Sequence, residues 1–213
     1  MTSLDPLGEA LELRVPASER HERGQYFTPD ALVRFVLDLV ENLGSGRAGS
    51  LKILDPACGS GRFLLGARER WGPRAELHGY ETDLAARESA VAQLGKARIH
   101  GDDFLVAPGQ DDFDLIVGNP PYLRRRGAKT DLYVDFIERS LVRLREGGRL
   151  ALVLSNAWLS VGYGREVARI LRNRAAIEWV LESGVESWFP GASVNTMILV
   201  VRRCGSAVER DTQ

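Results

Sequence analysis

From residue 51 to residue 201, short apolar runs alternate with amphipathic stretches, and this alternation leaves few folds open to the chain. Leu51 to Leu54, Ala75 to Tyr80, Ala97 to His100, Phe113 to Val117, Leu150 to Leu154, Ile177 to Leu181 and Val194 to Val201 read as strands. Helical spacing separates them over Gly61 to Arg70, Asp83 to Leu94, Leu132 to Arg145 (closed by Gly147-Gly148) and Glu166 to Asn173. Strands that alternate with helices pair in parallel, in a sheet covered on both faces. Such sheets bind ligands at the carboxyl ends of their strands.

The 213 residues suffice for one well-buried α/β domain and are too few for two of ordinary size. Upstream of the first strand, Thr28 is expected to cap a helix with Pro29 at its first position and Asp30 in its first turn. Leu32, Val33, Phe35, Val36, Leu37, Leu39 and Val40 give that helix its apolar face, and Gly44-Ser45-Gly46 ends it. Residues 1–22 form a polar N-terminal extension whose stripe of Leu7, Leu11 and Leu13 suits one docking helix, with no chemistry visible in it. Residues 205–213 read as a tail, and Trp71, Trp158 and Trp179 as packing residues.

Composition excludes several classes. With 44% hydrophobic and 27% charged residues, and no apolar run near the ~20 residues that span a bilayer, the chain reads as soluble. Its first residues lack a secretory pattern, so a cytoplasmic location is expected. Cys58 and Cys204 lie far apart and match neither a disulfide framework nor a metal-ligand spacing. A net charge of −1 argues against a strongly basic, self-sufficient nucleic-acid binder; any such binding is local or shared with another domain or subunit.

The polar clusters fall where the strands end. After the first strand comes Asp55-Pro56-Ala57-Cys58-Gly59-Ser60-Gly61, in which the glycines let a ligand approach the backbone and Asp55 leaves a carboxyl group at the strand tip. Neither a phosphate-binding loop nor a GxGxxG fingerprint fits, and Asp55 would repel a phosphate but welcome an ammonium group. The second strand ends at Glu81, placed to accept from both hydroxyls of a ribose, whereas Asp83 fits better as the cap of the next helix. The third ends in Asp102-Asp103-Phe104, where a carboxylate can accept from an adenine amine. The fourth ends in Asn119-Pro120-Pro121-Tyr122. Two prolines stiffen that segment and leave carbonyls free to accept, Asn119 adds an amide carbonyl, and Tyr122 offers a stacking face. Together they suit a planar exocyclic amine.

With these motifs the chain resembles the class I methyltransferases that use S-adenosylmethionine, and more narrowly the γ-class N6-adenine DNA methyltransferases of restriction-modification systems. Gly24-Gln25-Tyr26-Phe27-Thr28-Pro29 matches the extra motif that this arrangement carries N-terminally, and the resemblance runs from about Gly24 to Arg202. It implies a Rossmann-like α/β fold with a mostly parallel seven-stranded sheet, helices on both faces and a C-terminal antiparallel hairpin. It implies a catalytic domain over residues 23–204, with S-adenosylmethionine as methyl donor. Asp55, Ala57, Gly59 and Gly61 would form the cofactor loop, and Glu81 would hold the ribose. Asp102, or Asp103 in its place, would meet the adenine amine, with Phe104 and Phe136 beside the ring. Asn119 would border the cofactor, and Tyr26, Thr28 and Pro29 would close over its methionine end. Phe136 equally suits helical core.

The segment from Trp188 to Thr196 resembles the family's later target-base motif, so Phe189 would stack a flipped adenine opposite Tyr122; both Trp188 and Phe189 also suit the core. Arg124, Arg125, Arg126 and Lys129 suit DNA phosphate contacts or a solvated loop. By this resemblance Asn119 and Pro120 accept from the adenine N6, and Pro121 and Tyr122 complete the catalytic motif. The same motif serves enzymes that methylate a glutamine amide in release factors, and RNA amino-group methylation is a further rival. A subunit that binds cofactor or DNA without catalysis would show erosion of these motifs, and there is none. Members of the family normally carry a C-terminal region that recognises the DNA sequence, and no target-recognition domain is seen here. A separate specificity subunit, an excised catalytic domain or a truncated enzyme is therefore expected.

Overall fold

The computed structural model describes residues 3–13, 27–41, 49–109, 112–122, 132–155, 164–183, 188 and 196–205. Seven strands form one sheet: β1 (Leu51–Asp55), β2 (Ala75–Tyr80), β3 (Arg98–His100), β4 (Phe113–Gly118), β5 (Leu144–Ser155), β6 (Ala175–Glu182) and β7 (Thr196–Arg203). Their order is β3-β2-β1-β4-β5-β7-β6. β1 to β5 pair in parallel, whereas β7 runs antiparallel to both β5 and β6. The chain order therefore reverses between β1 and β4, the position at which sheets of this kind open a crevice for a ligand.

Six helices flank the sheet among the described residues: α1 (Pro6–Glu12), α2 (Asp30–Asp38), α3 (Arg62–Trp71), α4 (Leu84–Leu94), α5 (Leu132–Arg143) and α6 (Gly164–Arg174). Side chains alternate across a strand, and in the central strand β4 and the later part of β5 both faces are buried, which explains why these strands read as apolar runs. On one face Ile53, Leu115, Val117, Ala151 and Val153 pack with Val33, Val36, Leu64 and Ala67 of α2 and α3. On the other, Leu54, Ile116, Leu150, Leu152 and Leu154 pack with Tyr133, Phe136, Ile137 and Leu171 of α5 and α6.

Four expectations change. Thr28 does not cap α2; Pro29 occupies the cap position, its carbonyl accepting from Leu32 and Val33, because the Thr28 hydroxyl is turned inward to Asn119. The leucine stripe of the N-terminal extension does not dock α1. Leu13 is 89% exposed and Leu7 is exposed too, whereas Asp5 and Gly8 are buried and Leu4 packs against the first core, so the segment is attached through Asp5 and Leu4 rather than through that stripe. The helix expected to run to Arg145 ends at Arg143, and β5 begins at once and passes through both glycines. Gly147 takes φ 72°, and a side chain on Gly148 would stand 2.9 Å from the Phe113 carbonyl, so this pair permits the irregular start of the β4–β5 ladder. Trp179 is 48% exposed rather than packed, because β6 is an edge strand with β7 as its neighbour. Trp71 does pack against the first core, and Trp158 lies outside the described residues. No described helix is long and apolar enough to cross a membrane.

Candidate active site

Backbone geometry, more than side chains, shapes the turn from β1 into α3. Gly59 and Gly61 take φ values of 55° and 97°, a left-handed conformation that other residues adopt at a cost. The two are held differently. A side chain on Gly61 would stand 2.7 Å from Leu94 Cδ1, whereas Gly59 has no atom within 4 Å on that side and faces open space. The loop is tied to β2 by Cys58 N, which donates to the Tyr80 carbonyl at 2.9 Å, and closes on itself through Gly61 N to the Cys58 carbonyl at 2.8 Å.

Two acids stand at this edge. Asp55 is 2% exposed, and one of its oxygens accepts from Ala57 N at 3.1 Å. Burial raises its carboxyl from 3.8 to about 8; the Ala57 N–H opposes the rise, and the nearby charge of Glu81 adds to it. Glu81 accepts from Gly59 N at 2.8 Å and from Asp83 N at 2.7 Å, and burial outweighs these bonds to raise its pKa as well. Each carboxylate oxygen keeps a second lone pair, so Glu81 can hold the loop and still accept from a ligand. Asp83 caps α4 through Ala86 N at 2.9 Å. The Cys58 thiol is also pushed up, by burial and then by Asp55 and Glu81, which leaves it a neutral packing group.

At the end of β3, Asp103 spends its carboxylate on Leu105 N at 2.9 Å, and its carbonyl accepts from Val106 and Ala107. Asp102 stands exposed beside it. Phe104 is 1% exposed and stacks on Phe136 at 5.7 Å with planes 16° apart. Arg143, itself buried, lies over Phe104 at 5.3 Å and donates to the Tyr80 hydroxyl at 3.1 Å. The two phenylalanines thus lie together in the second core, behind the loop edge rather than open to it.

Asn119 leaves β4 beside β1, and its Nδ2 donates to Thr28 Oγ1 at 3.2 Å. Pro120 is buried, while Pro121 and Tyr122 are partly exposed. The tips of β1 and β4 touch closely, since a side chain on Gly118 would stand 2.5 Å from Asp55 Oδ1. The structure therefore brings Thr28, Pro29, Asp55, Ala57, Gly59, Gly61, Glu81, Asn119 and Pro120 to one edge of the sheet. Tyr26, Arg124, Arg125, Arg126, Lys129 and Phe189 lie outside the described residues, and Trp188 packs partly buried against the first core. Gly118 belongs to none of the sequence motifs. Its signal is a glycine that ends a strand apolar apart from Asp114, just before Asn119.

Gly118→Ala should drive its methyl group into Asp55 and destabilise the protein by about 1–3 kcal/mol, read as a lower denaturant midpoint with unchanged slope. Stability should also depend on pH through Asp55. Between the ordinary carboxyl value of 3.8 and about 8 the folded state holds a proton that the unfolded state has lost, so the stabilising contribution is full below that window and gone above it. The ligand-free unfolding temperature should therefore fall from about pH 5 to about pH 8 and then level, and Asp55→Asn should flatten the fall.

A model of the Eco57I restriction-modification methylase family matches residues 74–189. Type II methyltransferase M.TthHB8I of Thermus thermophilus is 30% identical over 217 residues, covering 91% of this chain and 48% of the relative. Type II methyltransferase M.PaeR7I of Pseudomonas aeruginosa is 28% identical, covering 79% of this chain and 38% of the relative. The chain thus spans about half or less of the length of these relatives. A Listeria monocytogenes protein assigned to the class I S-adenosylmethionine-dependent methyltransferases superposes with a TM-score of 0.76 at 18% identity, over 99% of this chain and 70% of its own. The M protein of the type I restriction enzyme EcoKI superposes with a TM-score of 0.68 at 20% identity, over 84% and 44%. The fold is that of the class I methyltransferases, and the chain belongs to the Eco57I restriction-modification methylase family.

Proposed function

We propose that this chain is the catalytic part of a restriction-modification methyltransferase that moves a methyl group from S-adenosylmethionine to the N6 amino group of adenine in DNA. The observation that carries this reading is the position of Asn119: it leaves β4 next to the cofactor loop of β1, with its amide nitrogen engaged by Thr28. The amide carbonyl of such a residue is an acceptor of the kind a substrate amine needs.

The edge suits S-adenosylmethionine on its own chemistry. Gly59 leaves the room that a ligand lying on the backbone needs, Asp55 matches an ammonium group, and Glu81 matches a pair of ribose hydroxyls. Asp102 or Asp103 would meet the adenine amine, and the Phe104–Phe136 stack would back that ring. Thr28 and Pro29 would border the methionine end, together with Tyr26. When bound, this group supplies an electrophilic methyl on a sulfonium.

The chain's own work is to orient the nucleophile. The lone pair of the adenine N6 is delocalised into its ring. Two acceptors, Asn119 Oδ1 and the Pro120 carbonyl, would draw the N–H groups out of the ring plane and free that lone pair. No strong base is needed, because stabilising the positive charge that develops on nitrogen lowers the barrier. Pro120 and Pro121 keep this geometry stiff. Since the target atom lies inside duplex DNA, the base must be flipped out, with Tyr122 and Phe189 as stacking partners. Arg124, Arg125, Arg126 and Lys129 are candidates for phosphate contacts, and a further domain or a specificity subunit would select the sequence.

Membership of a restriction-modification family favours DNA over RNA or a glutamine amide. Asn119→Ala should lower methyl transfer to DNA by a factor of about a thousand or more, with the S-adenosylmethionine dissociation constant within a fewfold of wild type. Calorimetry and single-turnover transfer of labelled methyl read the two effects separately, and near-normal turnover in this variant would rule the mechanism out.

A further inference from the structure

Asp5 is fully buried, although it lies in the N-terminal extension and outside the stretch that resembles the family. Its carboxyl group accepts from Gly8 N at 2.7 Å, which caps α1, and from Gln93 Nε2 at 2.6 Å. It also accepts from Ser60 Oγ, and Arg62 Nε lies 3.4 Å away. Ser60 and Arg62 flank Gly61, the left-handed residue on which the β1 loop turns into α3. Arg62 continues the chain of contacts: Nη1 donates to the Thr28 carbonyl at 2.9 Å, and the guanidinium lies over Phe27 at 5.9 Å. A parallel tie joins Leu4 N to Asp30 Oδ2 at 2.7 Å.

Capping alone does not account for this burial. A helix cap needs one accepted bond and is ordinarily left at the surface. Here the group also takes up Ser60 Oγ from the β1 loop, Arg62 Nε from the start of α3 and Gln93 Nε2 from α4, while Leu7 of α1 is exposed. An apolar contact would add stability without fixing a geometry. A buried polar network that ties several elements together is costly to rearrange and so holds the elements it joins in one arrangement.

We infer that Asp5 is a positioning residue for cofactor binding: through Ser60 and Arg62 it locks the β1 loop against the Thr28 segment, so that the two sides of the cofactor pocket are assembled before the ligand arrives. This rests on the S-adenosylmethionine reading given above. The order of contacts also predicts that Ser60 and Asp5 act as one unit.

Calorimetric titration of the whole chain with S-adenosylmethionine, alongside thermal unfolding, tests the inference. Asp5→Ala should raise the dissociation constant about tenfold or more at temperatures where the variant is folded, and Ser60→Ala should raise it by a similar factor. The double variant should match Asp5→Ala within about twofold, as expected for residues in one network. Asp5→Asn keeps the cap but loses the charge facing Arg62, so it should unfold close to wild type yet bind several-fold more weakly; with Ser60→Ala it carries the test should Asp5→Ala not fold. Folded variants that bind with the wild-type constant, losing only thermal stability, would overturn the inference and leave Asp5 a mere staple. Failure of the wild-type chain itself to bind would instead overturn the cofactor reading, and this inference with it.

Discussion

The parallel pairing of β1 with β4 is the contact on which the rest of the site depends. Ile53 lies opposite Leu115 and Leu54 opposite Ile116, so the two strands end within one residue of the same level. Asp55 and Asn119, separated by three strands and two α-helices in sequence, thereby leave the sheet close together. A slip of one residue would turn each side chain to the opposite face and part the two. Gly118 makes the fit possible, since the space its side chain would occupy is filled by Asp55.

That closeness has an electrostatic consequence. Asp55 and Glu81 are drawn into low-dielectric surroundings with backbone N–H groups for partners and no cation against either among the described contacts. The pKa of each is raised mainly by burial, and for Asp55 in part by its neighbour. A cationic ligand entering this edge would relieve both effects at once, which is the logic by which an acidic loop selects an ammonium or sulfonium compound over a phosphate. The loop itself need not move to receive it. Its glycines already hold left-handed conformations, and its amides are already engaged by Tyr80 and Glu81.

Most of the frame was legible because burial on both faces writes a parallel strand as an apolar run, as in Leu115-Ile116-Val117. The strand-end motifs were legible for a related reason: a polar residue directly after such a run has few places to go but the carboxyl edge. What could not be read were contacts between segments far apart in sequence. Thr28 looks locally like a helix cap, and only the approach of β4 turns its hydroxyl to Asn119. Asp5 looks like a surface cap, and only the fold carries Ser60, Arg62 and Gln93 to it. Phe136 has the spacing of both a core residue and a ligand contact, and only the fold shows it stacked on Phe104 within the second core. The end of α5 is ambiguous in the sequence for a local reason, since a glycine pair closes helices and opens bulged strands alike.

Nucleoside analysis of the reaction products tests the central claim most directly. The chain is incubated with methyl-labelled S-adenosylmethionine and, in parallel, duplex DNA, RNA and a release factor, and each polymer is then digested and resolved. Label recovered as N6-methyladenine from the DNA is the expected result. Label confined to RNA or to a glutamine side chain, or found in DNA on cytosine, would contradict the assignment of Asn119 and Pro120 as acceptors for the adenine amine.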